Sequence, residues 1–329
     1  MSEQNCLFDF PKTEINKPIR IIEAFGGYGS QSMALRNIGA DFERWKLIEF
    51  DPHAVASYNA IHGTSFEPLD IRDVHGKDLQ IVDKDKYCYI LFYSWPCTSL
   101  SLAGKQEGMV EGSGTASSLL WEVKRLLAEL SDEELPQYLM FENVSQCHSD
   151  KHLPVFKQWL SYLDSRGYKT FYKDLNAKDF GIPQSRNRCF GVSILTDEWI
   201  DFEFPEPTEL KIRMKDLLDD EVGEEYYIRT EKADKLLQEL KDKGVLKGLE
   251  AKVVDLCLDS PNEKDTANCV KARYDAGISN LRSDGTGVAE KKGILVSDIG
   301  GKFEKETDTA TCLMARDYKG FGHQMGNAV

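Results

Sequence analysis

Short apolar runs alternate with segments of helical periodicity between residues 19 and 194. The apolar runs predict buried strands at Ile19–Ala24, Trp45–Glu49, Cys88–Tyr93, Tyr138–Glu142 and Cys189–Ile194. The periodic segments predict helices at Ser30–Asn37, Pro52–Ile61, Ser117–Leu130 and Leu153–Ser165. Because buried strands separated by helices usually pair side by side in one direction, we expect an α/β fold with a parallel, doubly wound sheet.

The sequence changes character after Phe204. A helix is predicted at about residues 231–241, and from Val253 onward short apolar runs are broken by Gly, Asn and Asp, which predicts strands and loops. We therefore expect two domains, at residues 1–204 and 205–329, of which the second is smaller and mainly β.

Composition limits the partners and the compartment. With a net charge of −14, the chain gives no general indication of a nucleic-acid partner, although a local surface can differ from the total. Its eight cysteines are scattered without a CxxC pair, so we expect reduced thiols and neither a disulfide framework nor a metal site. No run approaches ~20 apolar residues and the N-terminus lacks a secretory pattern, so we expect a cytoplasmic protein with no membrane partner.

A glycine-rich turn, Ile22–Ser30, directly follows the first predicted strand. Glycines at a strand-to-helix turn let a ligand approach the backbone closely, but a tight turn without a ligand fits the sequence equally well. Glu49 ends the second strand, where an acid in such folds commonly binds the two hydroxyls of a ribose. Asp51 fits a helix cap better than a ligand site, and Asp70 is a third acidic candidate.

Cys97 follows the third strand in the sequence Trp-Pro-Cys-Thr-Ser. It should lie where the carboxyl edge of the sheet opens, and a thiolate there can act as a nucleophile. A lone cysteine is more often a small buried hydrophobe, but the rigid Pro-Cys turn with Ser and Thr around it favours the nucleophile. The Gly- and Ser-rich segment Glu107–Ser118 predicts a mobile loop that closes over a substrate, with a disordered surface loop as the alternative.

Glu142 ends the fourth strand within Glu-Asn-Val, at the same predicted edge as Cys97. A partly buried carboxyl at this position can donate a proton. Further along the chain, the alternation of Gln-Ser-Arg-Asn-Arg places Arg186 and Arg188 on one face. Two guanidinium groups on one face can bind carboxylates or phosphates, and one of them can hold a base oxygen.

In chain order, the Phe-Gly-Gly-x-Gly turn, Pro-Cys, Glu-Asn-Val and Gln-x-Arg-x-Arg resemble the motifs of the cytosine-C5 DNA methyltransferases, especially those of bacterial restriction–modification systems and phages. The likeness covers about residues 19–230. It implies a Rossmann-like, S-adenosylmethionine-dependent methyltransferase domain followed by a target-recognition domain. It also implies methyl transfer from S-adenosylmethionine to C5 of cytosine in a specific duplex DNA sequence, through a covalent adduct between Cys97 and C6 of a flipped base.

The resemblance further assigns roles to individual residues. It implies cofactor contacts at Phe25, Gly27, Gly29, Glu49 and Asp70. It implies catalytic roles for Cys97 as the nucleophile, Glu142 at cytosine N3, and Arg186 and Arg188 beside the flipped base. Ser101, shortly after the nucleophile, is a candidate DNA contact.

The second domain contains an imperfect repeat, because Lys264–Ile278 and Thr307–Phe321 share the pattern Asp-Thr-Ala-x-Cys-x-x-Ala-Arg. Two interpretations stay open. The copies are either two similar strand-turn units of one small sheet or two loops that present Arg273 and Arg316 to DNA.

The chain departs from the family pattern in three places. Thr98 replaces the Gln that usually follows Pro-Cys, although its hydroxyl can still hydrogen-bond a phosphate. A helical Arg-x-Leu-Thr-x-x-Glu segment is not visible. Gln324–Val329 resembles the final family motif, in which Asn327 would lie on the cofactor side, but it fits the tail of the second repeat better. We therefore expect the C-terminal closing element of the family to be absent.

The resemblance implies a monomer that binds duplex DNA in the cytoplasm of a bacterium or a phage-infected host, with a cognate restriction endonuclease as a candidate partner. One alternative is a tRNA cytosine-C5 methyltransferase, since relatives of the family act on RNA with the same residues. The other is a truncated, non-catalytic remnant that only binds DNA. The two Arg-bearing repeats favour DNA mildly, and the presence of both Cys97 and Glu142 favours an enzyme.

Overall fold

The computed structural model describes residues 15–100, 107–218, 227–228, 231–246, 252–256, 261–268, 286–290 and 293–296. These residues form two compact units. The first contains the described residues up to Leu175 together with Asn187–Pro205, and the second contains Asn176–Arg186 and the described residues from Glu206 onward. The division at Pro205 lies next to the boundary predicted from the sequence, whereas nothing in the sequence pattern places Asn176–Arg186 with the second unit.

The first unit is built on one large sheet with helices between its strands. Its strands are β1 (Ile19–Ala24), β2 (Phe42–Ile48), β3 (Cys88–Tyr93), β4 (Tyr138–Asn143), β5 (Tyr168–Asn176) and β7 (Asn187–Leu195), whereas the short strand β6 (Gln184–Ser185) belongs to the second unit. The helices are α1 (Ser30–Asn37), α2 (Pro52–His62), α3 (Leu120–Glu129) and α4 (Leu153–Ser165). Short 3₁₀ turns of the first unit lie at Ile71–Asp73, Gly76–Leu79, Ala116–Leu119, Asp132–Glu134 and Ser145–His148, and those of the second unit lie at Ala177–Phe180 and Met214–Leu217. The sheet has six strands in the order β2-β1-β3-β4-β7-β5.

Every strand and helix predicted for this unit is present, with ends that differ by a few residues. The prediction missed β5. This strand lies at the edge of the sheet, and most of its side chains are partly or fully exposed. Its sequence, Tyr-Lys-Thr-Phe-Tyr-Lys-Asp-Leu-Asn, therefore lacks the apolar run that marks the other strands.

The expectation of a wholly parallel sheet is wrong at one strand. β1 pairs in parallel with β2 and β3, and β3 pairs in parallel with β4, but β7 pairs antiparallel with β4. The connection from β5 to β7 contains a 3₁₀ turn and β6 but no α-helix, whereas parallel neighbours need a crossover of about a dozen residues or more. The chain therefore reverses direction, and β7 begins at the edge of the sheet where β4 ends.

The core is centred on β3, whose residues are all buried. At the end of this strand the ring of Tyr93 packs on the rings of Trp95, Phe141 and Trp159, with centroid distances of 5.9, 5.8 and 5.7 Å. Trp159 Nε1 also donates a hydrogen bond to the Tyr93 hydroxyl at 3.2 Å. Each aromatic pair contributes about 0.5–1.5 kcal/mol of stability beyond that of its buried area. The cluster therefore stabilises the ends of β3 and β4.

The second unit has a different architecture. It contains α5 (Glu231–Asp242) and the strands β8 (Tyr227–Ile228), β9 (Lys252–Asp255), β10 (Ala267–Asn268), β11 (Thr286–Glu290) and β12 (Gly293–Val296). Four strands form an antiparallel sheet in the order β8-β12-β11-β9, and β10 pairs in parallel with β6. Leu236 and Leu240 of α5 are buried in one cluster with Val254 of β9. The prediction of a smaller, mainly β second region is confirmed.

Several predicted features lie outside the described residues. They are Ser101, Arg273, Arg316 and Asn327, together with all of the second repeat copy and most of the first. The choice between the two interpretations of the repeat therefore stays open. Within the described ranges, none of the helices has both the length and the apolar stretch that crossing a bilayer requires.

Candidate active site

The glycine-rich turn links the end of β1 to the start of α1 in a left-handed backbone conformation. Phe25, Gly27 and Gly29 have φ values of +56°, +54° and +84°. At Gly29 an added Cβ would lie 2.4 Å from His62 Nε2 and 2.6 Å from Tyr58 Cε2. At Gly27 an added Cβ would meet no atom within 4 Å. The turn is thus packed on one side against α2 and open at Gly27, where a ligand could approach the backbone.

Glu49, just past the end of β2, reaches this turn. Its Oε2 accepts a hydrogen bond from the Gly27 amide, and its Oε1 accepts one from the Asp51 amide, both at 3.0 Å. A carboxylate has about four lone-pair sites, so two further donors can be accepted. The structure therefore brings together Glu49 and the glycine turn, which were candidates for the same ligand. Asp51 instead caps α2 by accepting from the His53 amide at 2.8 Å, which confirms the interpretation favoured for it.

Asp70 makes its closest contacts with a neighbouring residue. Its carboxylate accepts hydrogen bonds from the Arg72 amide and Nε at 2.9 and 3.0 Å, and this side-chain bond lowers the pKa of Asp70. The preceding residue, Leu69, donates its amide to the Glu49 carbonyl at 2.7 Å. Asp70 therefore lies next to the end of β2, beside Glu49. Its lowered pKa keeps it an ionised carboxylate.

A buried network under the glycine turn was not predicted. Glu23, inside β1, is fully buried and accepts hydrogen bonds from the Ser32 amide at 3.2 Å, the Ser32 hydroxyl at 2.8 Å and the Tyr58 hydroxyl. Burial raises the pKa of Tyr58, so its hydroxyl keeps its proton and donates it to this bond. His62 stacks on Tyr58 with a centroid distance of 4.5 Å and bonds through Nε2 to the Tyr28 carbonyl at 3.0 Å. An acid that directly follows the apolar pair Ile21–Ile22 in β1 is the sequence feature that could have revealed this support.

Gly29→Ala is expected to lower the melting temperature more than Gly39→Ala does. Both glycines have left-handed backbone, with φ of +84° and +71°, which costs other residues about 1–2 kcal/mol. Only at Gly29 would the new methyl group collide with the side chains of Tyr58 and His62, since nothing lies within 4 Å of the Cβ position of Gly39. Thermal unfolding of the two variants measures the difference. Equal losses would show that the packing of the turn on α2 is unimportant.

Cys97 lies in a turn just beyond β3. The Ser117 hydroxyl donates a hydrogen bond to the Pro96 carbonyl at 2.6 Å and accepts one from the Ser99 amide at 3.3 Å. The Leu100 amide closes the turn on the Cys97 carbonyl at 2.9 Å. Cys97 is partly exposed, whereas the other described cysteines are buried. Among the described thiols it is the one that a substrate can reach.

Asn143, the last residue of β4, joins the two predicted catalytic segments. Its buried side chain donates from Nδ2 to the Trp95 carbonyl at 2.8 Å and accepts through Oδ1 from the Val144 amide at 2.9 Å. The Pro-Cys turn and the Glu-Asn-Val segment are therefore held at a fixed separation by one amide. The sequence analysis singled out Glu142 and gave no role to its neighbour.

Glu142 and Arg188 form an ion pair. In the antiparallel ladder Glu142 faces Phe190 and Asn143 faces Cys189, so Arg188 lies diagonally across from Glu142. The distance from Arg188 Nε to Glu142 Oε1 is 3.1 Å, and the two side chains are 17% and 26% exposed. A partly exposed, charge-assisted pair of this kind orients a carboxyl while leaving it accessible.

Two other predictions have a different outcome. Arg186 belongs to the second unit, where its amide bonds to Asn176 Oδ1 at 2.9 Å, so its pairing with Arg188 stays a prediction. The segment 107–118 is held to α3, and its closure over a substrate stays a prediction. Met109 is fully buried, and Trp121 Nε1 of α3 donates to its carbonyl at 2.7 Å.

The first unit thus gathers several chemical groups past neighbouring strand ends. The glycine turn with Glu49 follows β1 and β2, Cys97 follows β3, and the Glu142–Arg188 pair lies where β4 ends and β7 begins. In open α/β sheets this edge is the usual place for ligands. A thiol and an oriented carboxyl at one edge suit nucleophilic catalysis assisted by a proton donor.

Comparisons with known proteins agree with this arrangement. A family model described as C-5 cytosine-specific DNA methylase matches residues 19–302. The chain is 34% identical over 258 residues to the type II methyltransferase M2.ScrFI of Lactococcus lactis subsp. cremoris, covering 64% of this chain and 70% of that protein. It is 31% identical over 239 residues to the orphan methyltransferase M.SssI of Spiroplasma monobiae, covering 55% of this chain and 60% of that protein.

Solved structures share the fold. The methyltransferase Dnmt2 of S. pombe matches with a TM-score of 0.50 and 23% identity, covering 69% of this chain and 65% of that one. The methyltransferase EhMeth of Entamoeba histolytica matches with a TM-score of 0.53 and 22% identity, covering 70% of this chain and 67% of that one. At this level of identity the likeness concerns the fold alone.

Proposed function

The chain belongs to the C-5 cytosine-specific DNA methylase family, and from that membership we propose how its residues transfer a methyl group to C5 of cytosine in DNA. The observation that carries the proposal is the link through Asn143. This residue fixes the turn of Cys97 to the strand end of Glu142, which supports the proposal that the nucleophile and the carboxyl act on one base.

The reaction begins at Cys97. Cytosine C5 is too weak a nucleophile to take a methyl group unaided. Addition of the Cys97 thiolate to C6 forms a sulfur–carbon bond and pushes the ring electrons toward N3 and C5. Once C5 carries the methyl group, a water molecule removes the C5 proton, the Cys97 sulfur leaves with the bonding electron pair, and N3 returns its proton to Glu142. Aromaticity is then restored.

Glu142 and Arg188 act on the polar edge of the ring. Glu142, after taking up a proton from solvent, supplies it to N3, which accepts the electron density that the thiolate pushes into the ring. Arg188, at 3.1 Å from Glu142, positions that carboxyl and supports the base carbonyl. Arg186 is proposed to contribute a second guanidinium beside the base.

S-adenosylmethionine is the proposed methyl donor, and the glycine turn fits it. The backbone at Gly27 is open to a ligand, and the Glu49 carboxylate at the turn can accept two ribose hydroxyls. When bound, the cofactor supplies an electrophilic methyl group. Phe25, Gly27, Gly29 and Glu49 would hold it, with Asp70 on the adenine side and Asn327 as a further contact.

DNA recognition is proposed for the second unit. Since C6 is inaccessible in a duplex, the target base must be flipped out, and the neighbouring bases must be recognised through the grooves. Ser101, Arg273 and Arg316 are the proposed DNA contacts. We also propose that the protein acts as a monomer in the cytoplasm, with a cognate restriction endonuclease as a candidate partner.

Methyl incorporation tests the substrate directly. The full chain is incubated with methyl-labelled S-adenosylmethionine and either duplex DNA or tRNA. We expect label in duplex DNA as 5-methylcytosine, and bisulfite sequencing of DNA from an expressing host then identifies the target sequence. Label in tRNA alone would establish the RNA alternative. DNA binding without label in either substrate would establish the non-catalytic alternative.

A further inference from the structure

A second cluster of reactive side chains lies beside the catalytic pair. His148 ends the 3₁₀ turn after β4, Asp174 lies on β5 and Cys189 lies on β7. One ligand atom from each, a ring nitrogen, a carboxylate oxygen and the thiol sulfur, lies within 4.8 Å of the other two. His148 Nε2 is 2.9 Å from Asp174 Oδ1. The catalytic proposal above uses none of the three.

Cys189 is fully buried, and so is Cys147, which lies outside this set of mutually close ligand atoms. His148 and Asp174 are 27% and 33% exposed, so the cluster has a buried sulfur side and an open side. The rings of Phe156 and Tyr172 pack on His148 at centroid distances of 6.1 and 5.7 Å and fix its position.

We propose that His148, Asp174 and Cys189, with a water molecule as the fourth ligand, form a binding site for a thiophilic divalent cation of the zinc class. Thiolate and imidazole ligands select zinc-like ions, whereas magnesium and calcium prefer sites made of oxygen alone. Tetrahedral zinc bonds to sulfur and nitrogen imply ligand-to-ligand distances of about 3.3–3.8 Å. The spacing of the cluster reaches these distances with side-chain movements of about 1 Å.

The protons and charges balance on binding. The Cys189 thiol releases its proton to solvent, and Asp174 binds as a carboxylate. The imidazole carries its one proton on Nδ1, so that Nε2 gives its lone pair to the ion in place of the hydrogen bond to Asp174. One thiolate and one carboxylate then balance the charge of the dication, and no change of oxidation state is involved.

The site would join three elements next to the Glu142–Arg188 pair. Cys189 directly follows Arg188 and pairs with Asn143 across the ladder. A bound ion would therefore connect the beginning of β7 to β5 and to the turn after β4. This inference is independent of the proposed function, since it concerns binding and stability rather than methyl transfer.

Cobalt titration tests the site. The full chain is stripped with a chelator, kept in a phosphine reductant and titrated with Co²⁺. We expect saturation at one ion per chain, visible bands of tetrahedral cobalt and a near-ultraviolet thiolate-to-cobalt charge-transfer band. Added Zn²⁺ should displace the cobalt and raise the melting temperature. Absence of the charge-transfer band in the wild-type protein would overturn the proposal.

Variants locate the ion. Cys189→Ser should remove the charge-transfer band, whereas Cys97→Ser and Cys88→Ser should retain it. His148→Gln and Asp174→Asn change partly exposed side chains, so they keep the test valid if the buried cysteine variant fails to fold. Each should weaken Zn²⁺ binding by at least the roughly 10–100-fold that the loss of an outer contact costs. Unchanged affinity in both, or loss of the band in Cys97→Ser, would overturn the proposed site.

Discussion

Cys97→Ser is expected to abolish methyl transfer while leaving S-adenosylmethionine binding intact. A serine hydroxyl ionises far less readily than a thiol, so C6 is not attacked and C5 is never activated. The substitution leaves in place the bonds of the Ser117 hydroxyl to the Pro96 carbonyl and the Ser99 amide, which help to hold the turn. Calorimetry should therefore report an unchanged cofactor affinity.

A trapping experiment isolates the covalent step. In duplex DNA that contains 5-fluorocytosine, C5 carries a fluorine that cannot leave as a proton, so the Cys97–C6 bond persists after methylation. We expect a denaturation-resistant protein–DNA band with the wild-type protein and none with Cys97→Ser. Cys88→Ser is the matched control, because burial raises the pKa of Cys88 to about 11 and keeps its thiol protonated. Adduct formation by Cys97→Ser would remove Cys97 from the mechanism.

Glu142→Gln is expected to lower kcat by about 10²–10⁴, the usual contribution of a positioned proton donor. The amide keeps the volume of the side chain but cannot supply a proton to cytosine N3. Single-turnover methylation of duplex DNA measures the chemical step, and a binding assay should show little change in DNA affinity.

The control for this variant is Glu122→Gln. Glu122 also pairs with an arginine, Arg125 Nε at 2.7 Å, but both residues lie on α3 and not on a strand of the sheet. Its loss should leave kcat unchanged. If the two variants lower kcat equally, the effect reflects the loss of a surface ion pair, and Glu142 has no special part in the chemistry.

The sequence predicts the parts of this protein that depend on local pattern. Apolar periodicity places the helices of the first unit and all of its strands except β5, and motif order places Cys97 and Glu142 at the ends of β3 and β4. The Glu142–Arg188 pair follows from the pairing of β4 with β7, although the antiparallel direction of that pairing was not expected. The family, the α/β fold and DNA cytosine-C5 methylation as the family's activity are all confirmed by the comparisons.

The missed features depend on contacts between distant parts of the chain. Glu23 is tolerated inside β1 because the hydroxyls of Ser32 and Tyr58 donate hydrogen bonds to its carboxylate. Neither partner is adjacent to Glu23 in sequence. The His148–Asp174–Cys189 cluster draws one residue from each of three elements. A search for closely spaced cysteines cannot detect it, which is why the sequence favoured no metal site. Physical proximity of this kind becomes visible only when the register of β4 and β7 is known.

The division of the chain has a practical consequence for exchanging recognition units between relatives. The chain passes from one unit to the other after Leu175, Arg186 and Pro205. The small segment Asn176–Arg186 is held within the second unit by the pairing of β6 with β10 and by the Thr208 amide, which donates to the Asp179 carbonyl at 2.7 Å. In a chimaera joined only at Pro205, β6 of this chain would have to pair with the β10 strand of a different relative. A working graft has to transplant both pieces together, with junctions at all of these crossing points.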